Sequence, residues 1–182
     1  AEQLDIAEEY LLQVLKLNQR VSDVYFELGK IEEQREQYQK AQQWYERVND
    51  GDRYLGAQVK AAAMLVQQKD LPAMQTRMAE LRLQNPQDAT SLYIAEAEIL
   101  RDEKLYQQAF DKLSEALEQN NEDRDLRYAR ALAAEKVDQL EVLEADLKTI
   151  IENDPDNGHA LNALGYTLID KTNENFYDTQ HL

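Results

Sequence analysis

Two aspartates and one histidine, Asp154, Asp156 and His159, form a group of possible metal ligands in this chain. A calcium loop also needs a bidentate acidic residue at its twelfth position. Counted from Asp154, the twelfth residue is Gly165, which has no side-chain oxygen. We therefore interpret the three residues as part of a turn between helices, and we predict neither a metal nor another cofactor.

Nucleophilic catalysis has few candidate residues. The chain has no cysteine, its histidines are His159 and His181, and its serines are Ser22, Ser91 and Ser114. A Ser–His–acid set needs its members within hydrogen-bond reach of one another. No helix pair of the organisation described below contains both a serine and a histidine. Paired carboxylates are abundant, but they fall on the solvent faces of acidic helices. We predict that the chain is not an enzyme.

The charge of the chain excludes further ligand classes. Its formal net charge is −16 and its pI is about 4.5, so it repels phosphate backbones and anionic membrane surfaces. No apolar run reaches about 18 residues, and the chain opens with a polar, amphipathic stretch, so neither a membrane span nor a signal peptide is visible. We expect a protein or peptide partner, no nucleic acid and no direct membrane insertion.

The helices that position these side chains can be predicted from two sets of residues, called columns here, that recur with the same period. The first-helix column recurs at intervals of 33, 35, 34 and 34 residues: Gly29, Ala62, Ala97, Ala131 and Gly165. The second-helix column keeps the same period: Ala7, Ala41, Met74, Ala109 and Leu143. Proline and glycine are scarce, and helix-forming residues dominate. Two columns in one register predict helix–turn–helix repeats that stack into an all-α solenoid.

The period divides residues 1–182 into a single array. Residues 1–21 hold the second helix of an interrupted repeat, and complete repeats follow at 22–54, 55–89, 90–123 and 124–157. In residues 158–182 we expect a first helix to about Lys171 and a turn at 172–175. Ser22 is a predicted N-cap, residues 49–51 a predicted turn, and Pro86 and Pro155 lie just past predicted second helices.

The two ends of the array have no polar capping helix, which natural repeat arrays need. We therefore expect the chain to be a fragment of a longer protein. Apolar helix faces exposed at the ends would permit a homodimer, by end-to-end association or by exchange of terminal helices.

The columns resemble those of the tetratricopeptide repeat (TPR) over essentially the whole chain. The matching residues are Tyr25, Leu28, Gly29, Tyr38, Ala41, Tyr45 and Val48 in the first complete repeat, Tyr93, Ala97, Tyr106, Ala109, Leu113 and Ala116 in the third, and Leu161, Leu164, Gly165 and Leu168 in the last helix. The resemblance implies a right-handed superhelix of stacked antiparallel helix pairs. The second and fourth repeats depart at Gln58, Met74, Arg127 and Leu143, where we expect looser or rotated stacking.

The segment 154–166 also looks like a repeat boundary common in bacterial envelope-associated TPR proteins, including outer-membrane lipoproteins. This likeness implies a periplasmic or outer-membrane-associated location, with the cytoplasm as the alternative.

The resemblance implies a binding surface on the concave side of the array, lined by first-helix positions. We predict that a partner peptide or helix binds in a groove with an apolar floor, centred on Tyr128, Leu132 and Tyr166. The full set is Phe26, Lys30, Val59, Ile94, Glu98, Tyr128, Leu132, Asn162 and Tyr166. The competing interpretation is that these side chains only pack on flanking helices.

Some TPR domains grip the C-terminal carboxylate of a peptide with Lys, Asn and Arg on three consecutive first helices. The matching positions of this chain hold Phe26, Glu27, Val59, Ser91 and Ala95, with Lys30 and Lys60 as isolated cations. We therefore do not expect this mode of recognition.

Two packing features can also be predicted. Gly29, Ala109 and Gly165 are expected where helices cross closely, because only a small residue fits there. Glu96 and Arg130 occupy equivalent, normally apolar positions of consecutive first helices, so we expect them to form a partly buried ion pair.

The sequence favours a non-catalytic protein-interaction scaffold, or adaptor. One alternative is the recruiting arm of a larger enzyme whose catalytic domain lies outside these residues. Another is an architectural spacer whose concave face is filled by its own chain, with residues 173–182 as the filler.

Overall fold

A computed structural model describes residues 2–17 and 20–178, with side chains described to residue 169. Over these residues the chain forms α-helices and a single 3-10 turn, Pro86–Asp88, and no strand. The helices are α1 (Glu2–Lys16), α2 (Val21–Gln34), α3 (Tyr38–Glu46), α4 (Tyr54–Gln67), α5 (Leu71–Gln84), α6 (Ala89–Asp102), α7 (Tyr106–Gln119), α8 (Arg124–Lys136), α9 (Leu140–Asn153) and α10 (Gly158–Asp178).

The chain divides into two compact units, an N-terminal unit (Ala1–Leu92) and a C-terminal unit (Tyr93–Leu182), with the boundary inside α6. In the N-terminal unit α1 packs on α2, and each following helix packs on the next as far as α5. In the C-terminal unit α7 packs on α8, α8 on α9, and α9 on α10. Each unit is thus built from neighbours in sequence, as expected for stacked repeats.

The turn inside each complete repeat has one conformation. The second residue after the end of the first helix has a positive φ, and the next backbone N–H donates to the carbonyl five residues earlier, which is a Schellman motif. The positive-φ residues are Glu36, Lys69, Lys104 and Asp138. The closing bonds join Gln37 to Glu32 (2.8 Å), Asp70 to Leu65 (2.9 Å), Leu105 to Leu100 (2.8 Å) and Gln139 to Ala134 (2.9 Å). A shared turn fixes the same helix crossing in every repeat.

Other turns agree in part with the sequence. The predicted turn at 49–51 is confirmed, with Gly51 at φ 75°, and Pro86 and Pro155 follow the ends of α5 and α9. The predicted N-cap at Ser22 is wrong. Since α2 begins at Val21, Ser22 lies inside the helix, and its hydroxyl donates to Asp50.

The second-helix column forms the core of the complete repeats. Its residues and those four and seven positions later are buried in α5, α7 and α9 and in or just after α3: Ala41, Tyr45, Val48, Met74, Met78, Leu81, Ala109, Leu113, Ala116, Leu143, Leu147 and Ile150. The close crossing predicted at Gly29 is confirmed. A Cβ atom there would lie 2.6 Å from the ring of the buried Tyr45. Ala109, the second predicted crossing, is also buried.

The prediction for Gly165 is wrong. Gly165 is exposed, and an added Cβ would meet nothing within 4 Å. The predicted turn at 172–175 is also wrong, because α10 continues to Asp178. Residues 172–175 contain neither glycine nor proline, so no strong helix breaker stops α10 there. Within the described residues no second helix therefore crosses Gly165.

Arg130 has a different partner from the one predicted. Its Nε and Nη2 donate to the two carboxylate oxygens of Asp146 on α9, at 2.8 and 2.7 Å, whereas Glu96 was the expected acid. Arg127 also donates to Asp146, at 3.1 Å. The carboxylate of Asp146 is only 2% exposed, so the fourth repeat contains a buried ion cluster within one helix pair.

The four residues that depart from the repeat pattern do not loosen the stacking at their own positions. Met74 and Leu143 are buried in the core. Gln58 is buried as well, donates to the carbonyl of Val48 at 2.8 Å, and accepts from Arg77 at 2.7 Å. Arg127 donates to Asp146, so each of the four residues is either packed in the core or hydrogen-bonded.

Candidate protein-binding groove

A groove of about 580 Å³ lies between α6, α7 and α8 in the C-terminal unit. Its apolar lining comes from all three helices and its rim carries both signs of charge. The apolar residues are Ile94, Ala97, Tyr106, Ala109, Leu113, Tyr128, Ala129, Leu132 and Ala133, and the charged ones are Glu98, Arg101, Asp125, Glu135 and Lys136. Concave, mostly apolar sites with a few charged groups are the usual form of binding sites.

The repeat register places the lining residues. Ile94 and Glu98 on α6 are four residues apart and share one helix face, as do Tyr128 and Leu132 on α8. Residues from the two columns contribute Ala97 and Ala109, whose side chains end at Cβ. The small side chains leave the space that forms the groove.

Two large apolar side chains remain accessible in this groove. Tyr128 is half-buried, and its ring meets His159 edge-on at 6.5 Å between centroids. Leu132 is 42% exposed, one helical turn further along α8. A partner that covers these two residues would bury apolar surface that now faces water.

Four of the nine predicted residues lie together in this groove: Ile94, Glu98, Tyr128 and Leu132. The structure places the other predicted residues of the C-terminal unit outside it. Asn162 and Tyr166 on α10 are exposed, and neither lines the groove. The part played by Tyr106, Arg101 and Lys136 was not predicted. Helical spacing could have suggested Arg101, since it follows Glu98 by three residues.

Two predicted residues of the N-terminal unit, Phe26 and Lys30, contact neighbouring side chains. The ring of Phe26 packs against Tyr45 at 5.6 Å and lies under the Arg53 guanidinium at 4.9 Å. Lys30 pairs with Glu27 at 2.8 Å, and Arg53 pairs with Glu27 at 2.7 Å. Val59, the third predicted residue of this unit, is half-buried on α4. The Tyr45 ring and the Arg53 guanidinium thus both contact Phe26 on this face of the N-terminal unit.

Two groups of the N-terminal unit have shifted pKa values. Burial of the Glu27 carboxylate raises its pKa, but the hydrogen bonds and charges of Lys30 and Arg53 outweigh burial, so the net pKa is lowered. Burial raises the pKa of Tyr45, and the hydrogen bond from its hydroxyl to Glu33 raises it further. Glu33 in turn accepts from Lys60 at 2.9 Å.

The segment 154–159, which contains the possible metal ligands, forms the start of α10 and the turn before it. Asn157 accepts a hydrogen bond from the backbone N–H of Ala160 at 3.0 Å, and its amide donates to Asp154 at 3.0 Å. Over the described residues no group of three or more His, Cys, Asp and Glu side chains has the geometry to hold a metal ion.

Within the same described part of the chain, no helix combines the length and the apolar character that crossing a bilayer requires.

The sequence of the chain was compared with those of known proteins, and a relative matches most of it. No family model matches the chain. The chain is 36% identical over 152 residues to the TPR repeat-containing protein PA4667 of Pseudomonas aeruginosa, and the alignment covers 84% of this chain. It covers 26% of the relative, so the chain spans about a quarter of that protein's length.

Comparison with solved structures shows the fold. The crystal structure of yeast Tom70 aligns with a TM-score of 0.65 at 19% identity, over 91% of this chain and 36% of that one. The structure of YrrB, a TPR protein with an unusual peptide-binding site, aligns with a TM-score of 0.49 at 18% identity, over 89% of this chain and 84% of that one. The alignment with Tom70 shows that the helix pairs described above have the architecture of a known helical-repeat fold.

Proposed function

Because the chain is a tetratricopeptide-repeat protein, we propose that it is a non-catalytic scaffold that holds a segment of a partner protein in the groove of its C-terminal unit. Helical-repeat folds use extended concave surfaces for protein interaction. The observation that carries the proposal is the 580 Å³ groove, which brings together Ile94, Glu98, Tyr128 and Leu132 from two first helices.

The groove fits an anchored segment better than a small polar ligand. Its lining is mainly alanine, leucine and tyrosine, and its exposed side chains Tyr128 and Leu132 are one turn apart on α8. Large apolar side chains in central pockets supply most of the free energy of binding at such interfaces. The partner segment therefore presents one or two large apolar residues to α8.

The charge of the C-terminal unit favours basic residues beside those anchors. Residues 93–182 contain 21 Asp and Glu against 9 Lys and Arg, a formal net charge of −12. Three carboxylates stand at the groove rim, on Glu98, Asp125 and Glu135, with Arg101 and Lys136 as the cations. A net negative field attracts basic segments and speeds their association, and the attraction falls as salt is raised.

The test is selection of peptides from a random display library on the wild-type protein. Selected peptides are then measured by fluorescence anisotropy against a Tyr128→Ala, Leu132→Ala variant. A Leu161→Ala, Tyr166→Ala variant is the matched control, because both of its residues are exposed on α10 and neither lines the groove. Circular dichroism must first show that all three proteins are equally helical.

We expect the selected peptides to contain one or two large apolar residues flanked by Lys or Arg. Their affinity should fall at least tenfold for the groove variant and stay within about twofold for the control. Equal affinity for the wild type and the groove variant would contradict the proposal. A pull-down from cell extract with the same three proteins would then name the natural partner.

A second role, as an architectural spacer, is favoured for the N-terminal unit alone. Its position Phe26 lies under Arg53 and its position Lys30 carries a charge paired with Glu27, which leaves little apolar surface for a partner. The predicted filler, residues 173–182, lies outside the described side chains. The role as the recruiting arm of a larger enzyme concerns sequence beyond these 182 residues and stays a prediction.

We also propose that the protein works in the bacterial cell envelope. The proposal rests on the resemblance of segment 154–166 to envelope-associated TPR proteins, and the Pseudomonas relative is bacterial. Fractionation of source cells, followed by immunoblotting, tests it. Recovery of the intact protein only with the cytoplasmic fraction would favour the alternative.

A further inference from the structure

The charges along the groove between α6, α7 and α8 are not evenly distributed. Asp125 lies in the first turn of α8, whereas Lys136 lies in its last turn, and both line the groove. Lys136 follows Asp125 by eleven residues, so the two lie roughly 16 Å apart along the helix axis. This distance exceeds the Debye length of about 8 Å at physiological salt. The two ends of the groove therefore act on a bound chain as separate electrostatic sites.

A second cation joins Lys136 at its end of the groove. Arg101 lies in the last turn of α6 and also lines the groove. Since α6 and α8 are the first helices of consecutive repeats, they run in the same direction. In the repeat register Arg101 corresponds to Glu135, the residue before Lys136. Glu135 also lines the groove, so this end, called the cationic end here, has two cations against one carboxylate.

The two cations form exposed ion pairs with residues adjacent in sequence. Arg101 pairs with Asp102 at 3.5 Å, and Lys136 pairs with Glu135 at 3.2 Å. All four side chains are more than half exposed. Ion pairs between exposed side chains contribute little, because water and salt screen them. Arg101 and Lys136 can therefore exchange these partners for a carboxylate of a bound chain.

The opposite end of the groove, called the acidic end here, is marked by Asp125. Its carboxylate pairs with the adjacent Arg124 at 3.5 Å, and both side chains are more than half exposed. Glu98 lies on α6 between the two ends and is also exposed. A cation of a bound chain therefore finds carboxylates at Asp125 and Glu98. Salt screens the more distant carboxylates of residues 93–182 beyond about 8 Å, so an acidic side chain that touches the cationic end is attracted there.

The size of the groove favours an extended chain over a helix. A helix that spans about 16 Å, with a diameter of about 10 Å, has a volume of about 1,250 Å³. This is roughly twice the 580 Å³ of the groove, so most of such a helix would lie outside it. In an extended chain, side chains on one face recur about every 6.6 Å. Tyr128 and Leu132 are roughly 6 Å apart along α8, so alternate side chains of an extended chain match them.

We propose that the groove binds an extended segment of about seven residues whose apolar anchors lie between a basic residue on one side and an acidic residue on the other. The acidic side chain pairs with Arg101 and Lys136, and the basic side chain pairs with Asp125. The two apolar side chains pack on Tyr128 and Leu132. This inference rests on the proposed function, since it requires a segment in the groove, and it adds the order of charges along that segment. A segment with this order binds in one direction only.

The test starts from the peptides selected on the wild-type protein. The tightest binder is synthesised with blocked termini, together with a second peptide in which its acidic residue is replaced by lysine. Fluorescence anisotropy measures both peptides on the wild type and on an Arg101→Glu, Lys136→Glu variant. A Lys104→Glu, Lys148→Glu variant is the matched control, because it changes the net charge equally, both lysines are exposed, and neither lines the groove.

We expect the wild type and the control variant to bind the acidic peptide about fivefold more tightly than the lysine peptide, or better. The Arg101→Glu, Lys136→Glu variant should show the opposite preference, because its glutamates repel the acidic residue and attract the lysine. Tight binding of the lysine peptide by this variant would also show that the variant is folded.

Two results would overturn the inference. One is a set of selected peptides with basic residues on both sides of the anchors, and the other is a charge-reversed variant with the same preference as the wild type. In both cases, loss of binding in the Tyr128→Ala, Leu132→Ala variant would still support the proposed function. Peptides that bind that variant as tightly as the wild type would contradict the proposed function, and this inference with it.

Discussion

The two units of the molecule differ in whether the side chain at one first-helix position of the repeat is covered or lines an open groove. In the N-terminal unit Phe26 is pressed against Tyr45 and covered by Arg53. In the C-terminal unit the equivalent residues Ile94 and Tyr128 line an open groove. The difference arises in the second helix, where the N-terminal unit has the ring of Tyr45 and the C-terminal unit has Leu113, with Ala109 beside it. The ring of Tyr45 thus occupies space beside Phe26 that the smaller Leu113 and Ala109 leave open in the C-terminal unit.

The two units also differ in net charge. Residues 1–92 contain 15 Asp and Glu against 11 Lys and Arg, a formal net charge of −4, whereas residues 93–182 have −12. In the N-terminal unit several of these charges pair across helices, as Glu27 does with Arg53 and Glu33 with Lys60. The groove therefore lies in the unit with the greater excess of negative charge.

The largest expected effect comes from the buried carboxylate of Asp146. Asp146→Ala leaves Arg127 and Arg130 partly buried without their acid, which should lower the free energy of unfolding by about 3 to 5 kcal/mol. Because the only tryptophan is Trp44, its fluorescence reports the N-terminal unit, while far-UV circular dichroism reports the whole chain. Urea unfolding followed by both probes should show a larger shift in the dichroism.

Asp102→Ala is the control for that measurement, since the Asp102 side chain is exposed on α6 and its loss should change little. Equal shifts of the fluorescence and dichroism transitions would mean that the two units unfold as one, which would remove the distinction between them at the level of stability.

The N-terminal unit can be broken at its close crossing. Gly29→Ala places a Cβ atom 2.6 Å from the Tyr45 ring, which is buried and has no room to move, so we expect a loss of about 1 to 3 kcal/mol. The same change at Gly165 meets open space and should stabilise α10 by up to about 1 kcal/mol. Thermal unfolding of both variants checks the opposite signs, and equal melting temperatures would contradict the crossing.

The sequence predicts most of the fold and part of the groove. The two columns place the helix pairs, because burial of one face imposes the period of the repeat. Four groove residues follow from the same register, since equivalent first-helix positions point to one side. The register does not predict which residue a long side chain contacts. The guanidinium of Arg130 extends to Asp146 within its own helix pair, where the spacing suggested Glu96.

The conformation of the turns and the end of the last helix cannot be predicted from the sequence for a different reason. The residues with positive φ inside the repeats are Glu, Lys and Asp, whereas glycine is the usual signal for this conformation. The sequence predicts an end of α10 near Lys171, because the residues at 172–175 are polar. Each of them can continue a helix, and α10 runs on to Asp178.

The shared turn gives a smaller effect that should be the same in both units. Lys69 and Lys104 have φ values of 69° and 61°, which cost a side-chain-bearing residue about 1 kcal/mol relative to glycine. After the entropy cost of glycine, Lys69→Gly and Lys104→Gly should each stabilise the protein by roughly 0.5 kcal/mol. Urea unfolding measures the gain, and a gain at one position only would show that the turns differ between the units.

The smallest expected effect tests whether ion pairs close the N-terminal face. The pKa of Glu27 is lowered in the folded state, so its ionised form stabilises the fold above its usual pKa, and this contribution disappears as the pH falls through the lowered value. The wild type should therefore be more stable than Glu27→Gln at neutral pH, and the two should converge in acid. Since about a third of the carboxylate is exposed, the difference should be small.

The measurement is the urea midpoint at neutral and at acid pH, with Glu98→Gln as the matched control, since Glu98 is exposed at the groove rim of the other unit. If Glu27→Gln also uncovers Phe26, peptides selected on the C-terminal groove should gain a second, weaker site. A variant with neither a pH-dependent loss of stability nor a second site would show that the Phe26 face is closed by the packing of Tyr45 and not by charge.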